Sequence, residues 1–123
     1  MNSVVNPLTK AQSLTELWSP RVLGTMDNYF VKVAKVRGTF VWHDHADEDE
    51  LFYILEGCLV IEMEDQRVEL KAGDLFVVPK GVQHRPIAEQ PCLLMLIERQ
   101  STQHTGTVES EWTRSVEDQQ RPN

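Results

Sequence analysis

The sequence predicts an all-β domain, a sandwich or barrel, and three observations carry that expectation. At least seven short runs rich in strand-forming residues follow one another from Tyr29 to Glu98, joined mostly by short polar turns. Several of these runs alternate in the two-residue period of a half-buried strand. Sustained helical periodicity is confined to one short stretch near the N-terminus.

The chain has 123 residues, which suits a single domain with one core. Hydrophobic residues make up 41% and charged residues 25%, the balance of an ordinary globular protein. Twelve Lys and Arg against 19 Asp and Glu give a net charge of −7, so phosphate backbones and anionic membranes are not expected partners. The longest apolar run, Cys92 to Ile97, is too short to span a bilayer. No basic and apolar leader opens the chain, so a secretory signal is not expected and a cytoplasmic location is the default. Cys58 and Cys92 form no C-x-x-C pair, and both are expected as buried, reduced thiols in strands.

Taken in order, the chain divides into an N-terminal arm (1–20), a barrel (21–100) and a polar C-terminal tail (101–123). In the arm, apolar residues at 11, 14, 17 and 18 fit a short amphipathic helix over 8–18, or a segment laid against the body, with Pro20 as its stop. Gly24 to Asn28 read as a turn. Strands are then expected over Tyr29–Val36, Phe40–His45, Glu50–Leu55, Leu59–Met63, Arg67–Leu70, Leu75–Val78 and Cys92–Glu98. A short strand at Thr107–Trp112 is followed by a frayed end over Ser115–Asn123. Leu51–Leu55 and Cys92–Ile97 are apolar on both faces, so something must cover the outside of the barrel. The arm and a second copy of the chain are the two candidates, and a homodimer is the expectation.

Chemistry concentrates in two segments. Three of the four histidines fall in them: His43 and His45 in the first, His84 in the second. His43 and His45 are two apart on an expected strand and therefore project from one face. An acidic turn, Asp47-Glu48-Asp49, leads to Glu50 at the head of the returning strand, where a hairpin brings it back beside the histidines. Glu48 has the same parity as Glu50 and is a rival ligand. Pro79-Lys80-Gly81 swings the chain towards His84. Imidazole nitrogens with a carboxylate oxygen suit Fe, Mn, Ni, Zn or Cu. Taken singly, each piece reads more readily as a polar residue on a solvated strand or turn; their conjunction points to a metal site. Gln83 and Arg85 flank His84, and His104 lies in the tail; all three are expected at the surface. Phe40, Trp42, Phe52 and Ile54 are expected as wall or packing residues, and Tyr53 on the opposite face is not expected to act as an acid.

Two spacings carry a family resemblance. His43-x-His45, four residues, Glu50, six residues and Gly57 match the first cupin motif. Gly73, five residues, Pro79-x-Gly81, two residues and His84 match the second. Only four residues separate Gly38 from His43 where the family has five, and Ala88 stands where it often has Asn. The chain resembles a small single-domain cupin over residues 20–100, of the kind often labelled mannose-6-phosphate isomerase-like. Only Lys80 and Arg85 offer the basic charge a phosphosugar would want near the motifs.

The resemblance implies an antiparallel jelly-roll barrel enclosing one divalent transition ion (Fe, Mn, Zn or Ni) on His43, His45, Glu50 and His84. Four protein ligands leave one or two positions open for a small-molecule ligand. The expected function is a metal-dependent enzyme acting on a small oxygenated molecule, a dioxygenase or an isomerase or lyase, with no catalytic residue assigned. The alternatives are a non-catalytic metal or small-ligand binder, and a metal-free, epimerase-like cupin.

Overall fold

The structure is a computed structural model, and it describes residues 2–102 and 114–120. Seven strands form one antiparallel sheet: β1 (Arg21–Met26), β2 (Tyr29–Thr39), β3 (Glu50–Glu56), β4 (Cys58–Met63), β5 (Arg67–Lys71), β6 (Leu75–Val78) and β7 (His84–Arg99). Two short helices flank them, α1 (Pro7–Gln12) and α2 (Val116–Gln120).

The order along the main path is β1-β2-β7-β3-β6, with β4 bridging β5 and β7. The sixteen-residue β7 is what rolls the sheet. Its first half pairs with β4, from Met63↔His84 to Val60↔Ile87, and its second half pairs with β3, from Glu56↔Leu93 to Leu51↔Ile97. Strand β2 runs beside both halves, with a register shift between Val36 and Gly38 where β7 bends. Inward-facing residues of these strands, including Ala34, Val36, Phe52, Ile54, Leu59, Ile61, Leu94 and Leu96, form the main core. Burying such side chains is the dominant favourable term in folding.

The expected helix over 8–18 ends at Gln12. Asn6 caps it by accepting a hydrogen bond from Thr9 N at 3.0 Å, and Pro7 fills its first turn. Beyond it the arm stays extended enough for Leu17 to bridge Lys35 of β2. Ala11 and Leu14 pack on Val33 and Leu93, on the outer face of the barrel. The arm is therefore the cover for that part of the doubly apolar strands.

Four further expectations change, the last of them the burial of Cys58. Residues 21–26 form β1, because the turn tightens to Asp27-Asn28 and Gly24 sits in a strand with a bulge beside it. Phe40–His45 is not a continuous strand: it follows the barrel as an extended segment with one bridge, His43↔His84. The tail end does not fray throughout, since α2 forms and Gln119 is fully buried. The expected strand at 107–112 and His104 lie outside the described residues. Both cysteines are free, and Cys92 is buried, which pushes its thiol up to about 12. Cys58 is exposed, because it shares the outward parity of Val60 and Glu62 on β4. Among the described residues no helix is long and apolar enough to cross a membrane.

Candidate metal centre

The extended segment 40–45, the head of β3 and the head of β7 meet inside the barrel. There one ligand atom from each of His43, His45, Glu50 and His84 lies within 4.8 Å of all the others. All four residues are buried, at 2%, 5%, 3% and 0% exposure, which is rare for such groups unless they bind something or one another.

Local structure sets each side chain. The main chains of His43 and His84 exchange two hydrogen bonds, at 3.0 and 2.9 Å, so their rings stand side by side with centroids 4.2 Å apart. Gly81, with φ +77, allows the turn that precedes His84, and its N–H donates to His45 O at 2.8 Å. Asp49 accepts from Lys80 N at 2.9 Å, tying the acidic turn to the same loop. Glu50 starts β3 opposite Val78 and shares the inward face of Phe52 and Ile54.

The hydrogen bonds fix two tautomers. His43 Nδ1 lies 2.9 Å from Val41 O and His84 Nδ1 lies 2.9 Å from Val82 O. A carbonyl only accepts, so each Nδ1 carries the proton and each Nε2 presents a lone pair to the centre. Glu50 Oε1 stands 3.4 Å from both His45 Nε2 and His84 Nε2, beyond a good hydrogen bond. Those three atoms, all buried, have no hydrogen-bond partner. Buried polar atoms left this way are costly, and a cation at their common focus would satisfy all of them. The residues present therefore fit a metal ion.

Electrostatics agree with that reading. Burial, reinforced by His84, lowers the His43 imidazole to about 4, so it is neutral and able to ligate at neutral pH. Burial also lowers His45, but the adjacent Glu50 carboxylate, with Glu48 and Asp44, outweighs this and leaves it raised. Burial opposes ionisation of Glu50, yet the adjacent Glu98, His45 and His84 side chains hold its carboxyl well below the usual range. Glu98 is the converse case: burial and the neighbouring Glu50 charge push it well above that range, against the pull of Lys32.

A cavity of about 40 Å³ adjoins His43 and Glu50, walled by Trp18, Phe40, Phe52 and Leu96 among others. Trp18 enters from the arm and stacks on Phe40 with centroids 4.5 Å apart.

Other sequence candidates fall outside the centre. Glu48 is half-buried in the turn, where its carboxylate accepts from Ser101 Oγ at 3.3 Å. Gln83 is exposed, while Arg85 is half-buried and bonded to Glu62. Trp42 is 41% exposed, not a wall of the interior, and carries the Arg85 guanidinium over its ring at 4.9 Å. Lys32 and Glu98, both fully buried beside Glu50, were not expected. Their signal lay in parity: Lys32 alternates in phase with Phe30, Ala34 and Val36, and Glu98 with Leu94 and Leu96.

Comparison with known proteins identifies the family of this barrel. Residues 29–98 match the family described as Cupin domain, and the chain belongs to it. A solved cupin-2 domain containing protein from Shewanella frigidimarina is 46% identical, with TM-score 0.77, and the match covers 79% of this chain and 95% of that one. The uncharacterized protein YdbB of Bacillus subtilis (strain 168) is 36% identical over 86 residues, 69% of this chain and 76% of its own length. Acireductone dioxygenase of Yarrowia lipolytica is 33% identical over 90 residues, 66% of this chain. The match spans half the length of that dioxygenase.

Proposed function

We propose that His43, His45, Glu50 and His84 bind one divalent transition ion, and that the chain is a metal-dependent enzyme acting on a small oxygenated molecule. The observation that carries this reading is the convergence of three buried, unpartnered ligand atoms, His45 Nε2, Glu50 Oε1 and His84 Nε2, with the lone pair of His43. An ion held there supplies Lewis acidity, or a binding place for O2, at the positions its four protein ligands leave open.

The chain's own residues do the rest. Val41 O and Val82 O hold the two Nδ1–H groups and so keep both Nε2 atoms aimed inward. Trp18, Phe40, Phe52, Leu94 and Leu96 exclude bulk water from the adjoining cavity, which strengthens every charge interaction inside it. Among possible chemistries, oxygenation has support from relatives named as dioxygenases, the Yarrowia protein among them. The second reading is a non-catalytic metal or small-ligand binder built on the same four residues.

Metal content of untagged protein by elemental mass spectrometry tests the site, with about one equivalent per chain expected. O2 uptake by the iron-loaded protein in the presence of candidate enediols or hydroxylated aromatics then tests oxygenation. Protein that holds no metal and takes none up removes the four-ligand reading; metal without turnover leaves the binder.

We also propose a homodimer. Leu75 and Val77 project from edge strand β6 at 59% and 42% exposure, beside half-buried Leu51 and Tyr53 on β3. The arm packs elsewhere, on Val33 and Leu93, and a second copy would cover this remaining apolar face. Light scattering should give twice the chain mass, and Val77→Lys should reduce it to the monomer. A cytoplasmic location accords with two free thiols.

A further inference from the structure

Behind Glu50 the interior holds a second polar group, drawn from three parts of the chain. Lys32 of β2, Glu98 of β7 and Gln119 of α2 are all buried, at 0%, 0% and 1% exposure. Lys32 Nζ donates to Glu98 Oε1 at 2.7 Å and to the carboxamide oxygen Oε1 of Gln119. Glu98 in turn lies across from Glu50: Leu51 of β3 pairs with Ile97 of β7, and Glu50 and Glu98 are the adjoining residues, both buried. The Oε2 of Glu98 has no hydrogen-bond partner. A line of buried polar residues thus runs from the C-terminal helix to the carboxylate of the candidate metal centre.

Such a line is costly to bury unless every member finds its partners. The Lys32 ammonium is fully buried, and Gln119 supplies one of its acceptors. Helix α2, at five residues, is too short to be stable by itself and depends on such contacts. Gln119 is itself braced, Nε2 donating to Arg114 O at 2.9 Å and its backbone N–H to Ser115 O at 3.1 Å. The whole segment lies beyond residues 29–98, where the family match ends.

We propose that Gln119, Lys32 and Glu98 are positioning residues for Glu50, so that the C-terminal segment completes the metal centre from outside the barrel. The inference rests on the metal-binding reading above. Glu50 must aim Oε1 at a point shared with His45 and His84, and Glu98 is the residue that holds it from behind. Glu98 is aimed by Lys32, and Lys32 by Gln119. Removing the Gln119 acceptor lets the ammonium turn, and the two carboxyls lose their fixed geometry.

The test is cobalt(II) binding to the full-length protein, read as affinity by chelator competition and as the visible absorption band of the bound ion. Gln119→Leu is expected to weaken cobalt binding about tenfold, the low end for residues behind a ligand, and to shift the band. Gln119→Glu retains an acceptor oxygen and should restore both. Adding Gln119→Leu to Lys32→Met should weaken binding no further than Lys32→Met alone, because both act along one line. If Lys32→Met fails to fold, the comparison of Gln119→Leu with Gln119→Glu decides the matter by itself. Wild-type affinity and band in Gln119→Leu, with only a lower melting temperature, would make Gln119 a simple cap and overturn the inference alone. A wild type that takes up no cobalt would overturn the metal-binding reading, and this inference with it.

Discussion

His43 and His84 are joined by two backbone hydrogen bonds, His43 N to His84 O at 3.0 Å and His84 N to His43 O at 2.9 Å. Two ligand candidates 41 residues apart in sequence are therefore set side by side by main chain, not by their own imidazoles.

That relationship separates ligation from folding. His84→Ala keeps both backbone bonds, so the barrel should retain its far-ultraviolet circular dichroism. Metal affinity should fall by more than the roughly 10–100-fold usual for residues behind a ligand. An unchanged metal stoichiometry at limiting metal would show that His84 is not a ligand.

The metal-free protein should carry a pH signature from His43. Its imidazole is lowered from 6.5 to about 4 in the fold, so the unfolded chain binds the proton more tightly. Stability from this group is present above pH 6.5 and is lost as pH falls towards about 4, by about 3 kcal/mol in all. Glu98 and His45 titrate in the opposite sense, so the measurement is the difference between wild type and His43→Gln. Denaturation curves from pH 7 to 4 should converge on those of the variant as pH drops; parallel curves would contradict the burial argument.

Gly57 should tolerate no side chain. Its φ is +91, and an added Cβ would stand 2.9 Å from Pro91 O and 3.2 Å from Cys92 Cα, both of them backbone. Gly73 has φ +93 but open space around it. Gly73→Ala should therefore cost only the conformational strain, about 1–3 kcal/mol, and Gly57→Ala clearly more. Urea denaturation of the two variants measures the contrast, and equal losses would mean that β7 yields to the intruding methyl.

Leu14→Ala should destabilise the protein by about 2–5 kcal/mol, as for other buried leucines, while leaving metal content unchanged. Leu14 belongs to the cluster with Ala11, Val33 and Leu93 outside the sheet, not to the core that lines the centre. Thermal melts together with elemental analysis of the same sample would show whether those two effects separate.

Legibility followed locality. The hairpin β4–β5 and the inward parity of Glu50, Phe52 and Ile54 were plain in the residue alternation, because a strand's two faces repeat every second position. Residues 40–45 read as a strand from the same pattern, but only His43 finds a bridging partner there. Strand β1 was hidden by Gly24, which marks a bulge as readily as a turn. The Lys32–Glu98–Gln119 line was least visible, since its partners are 66 and 87 residues from Lys32 and only the rolled sheet brings them together.

Trp18 is held by its own backbone and its ring at once. Its N–H reaches Lys35 O at 2.9 Å, its Nε1 reaches Arg37 O at 2.8 Å, and its φ of 57 turns the chain inward at that point. The indole and Pro20 then become part of the wall beside His43 and Glu50. Part of the wall beside the centre is thus written in a stretch upstream of residues 29–98, while the four candidate ligands are written within it. Proteins sharing this barrel can keep the same interior residues and reshape the space beside them by exchanging only the segment that supplies this panel.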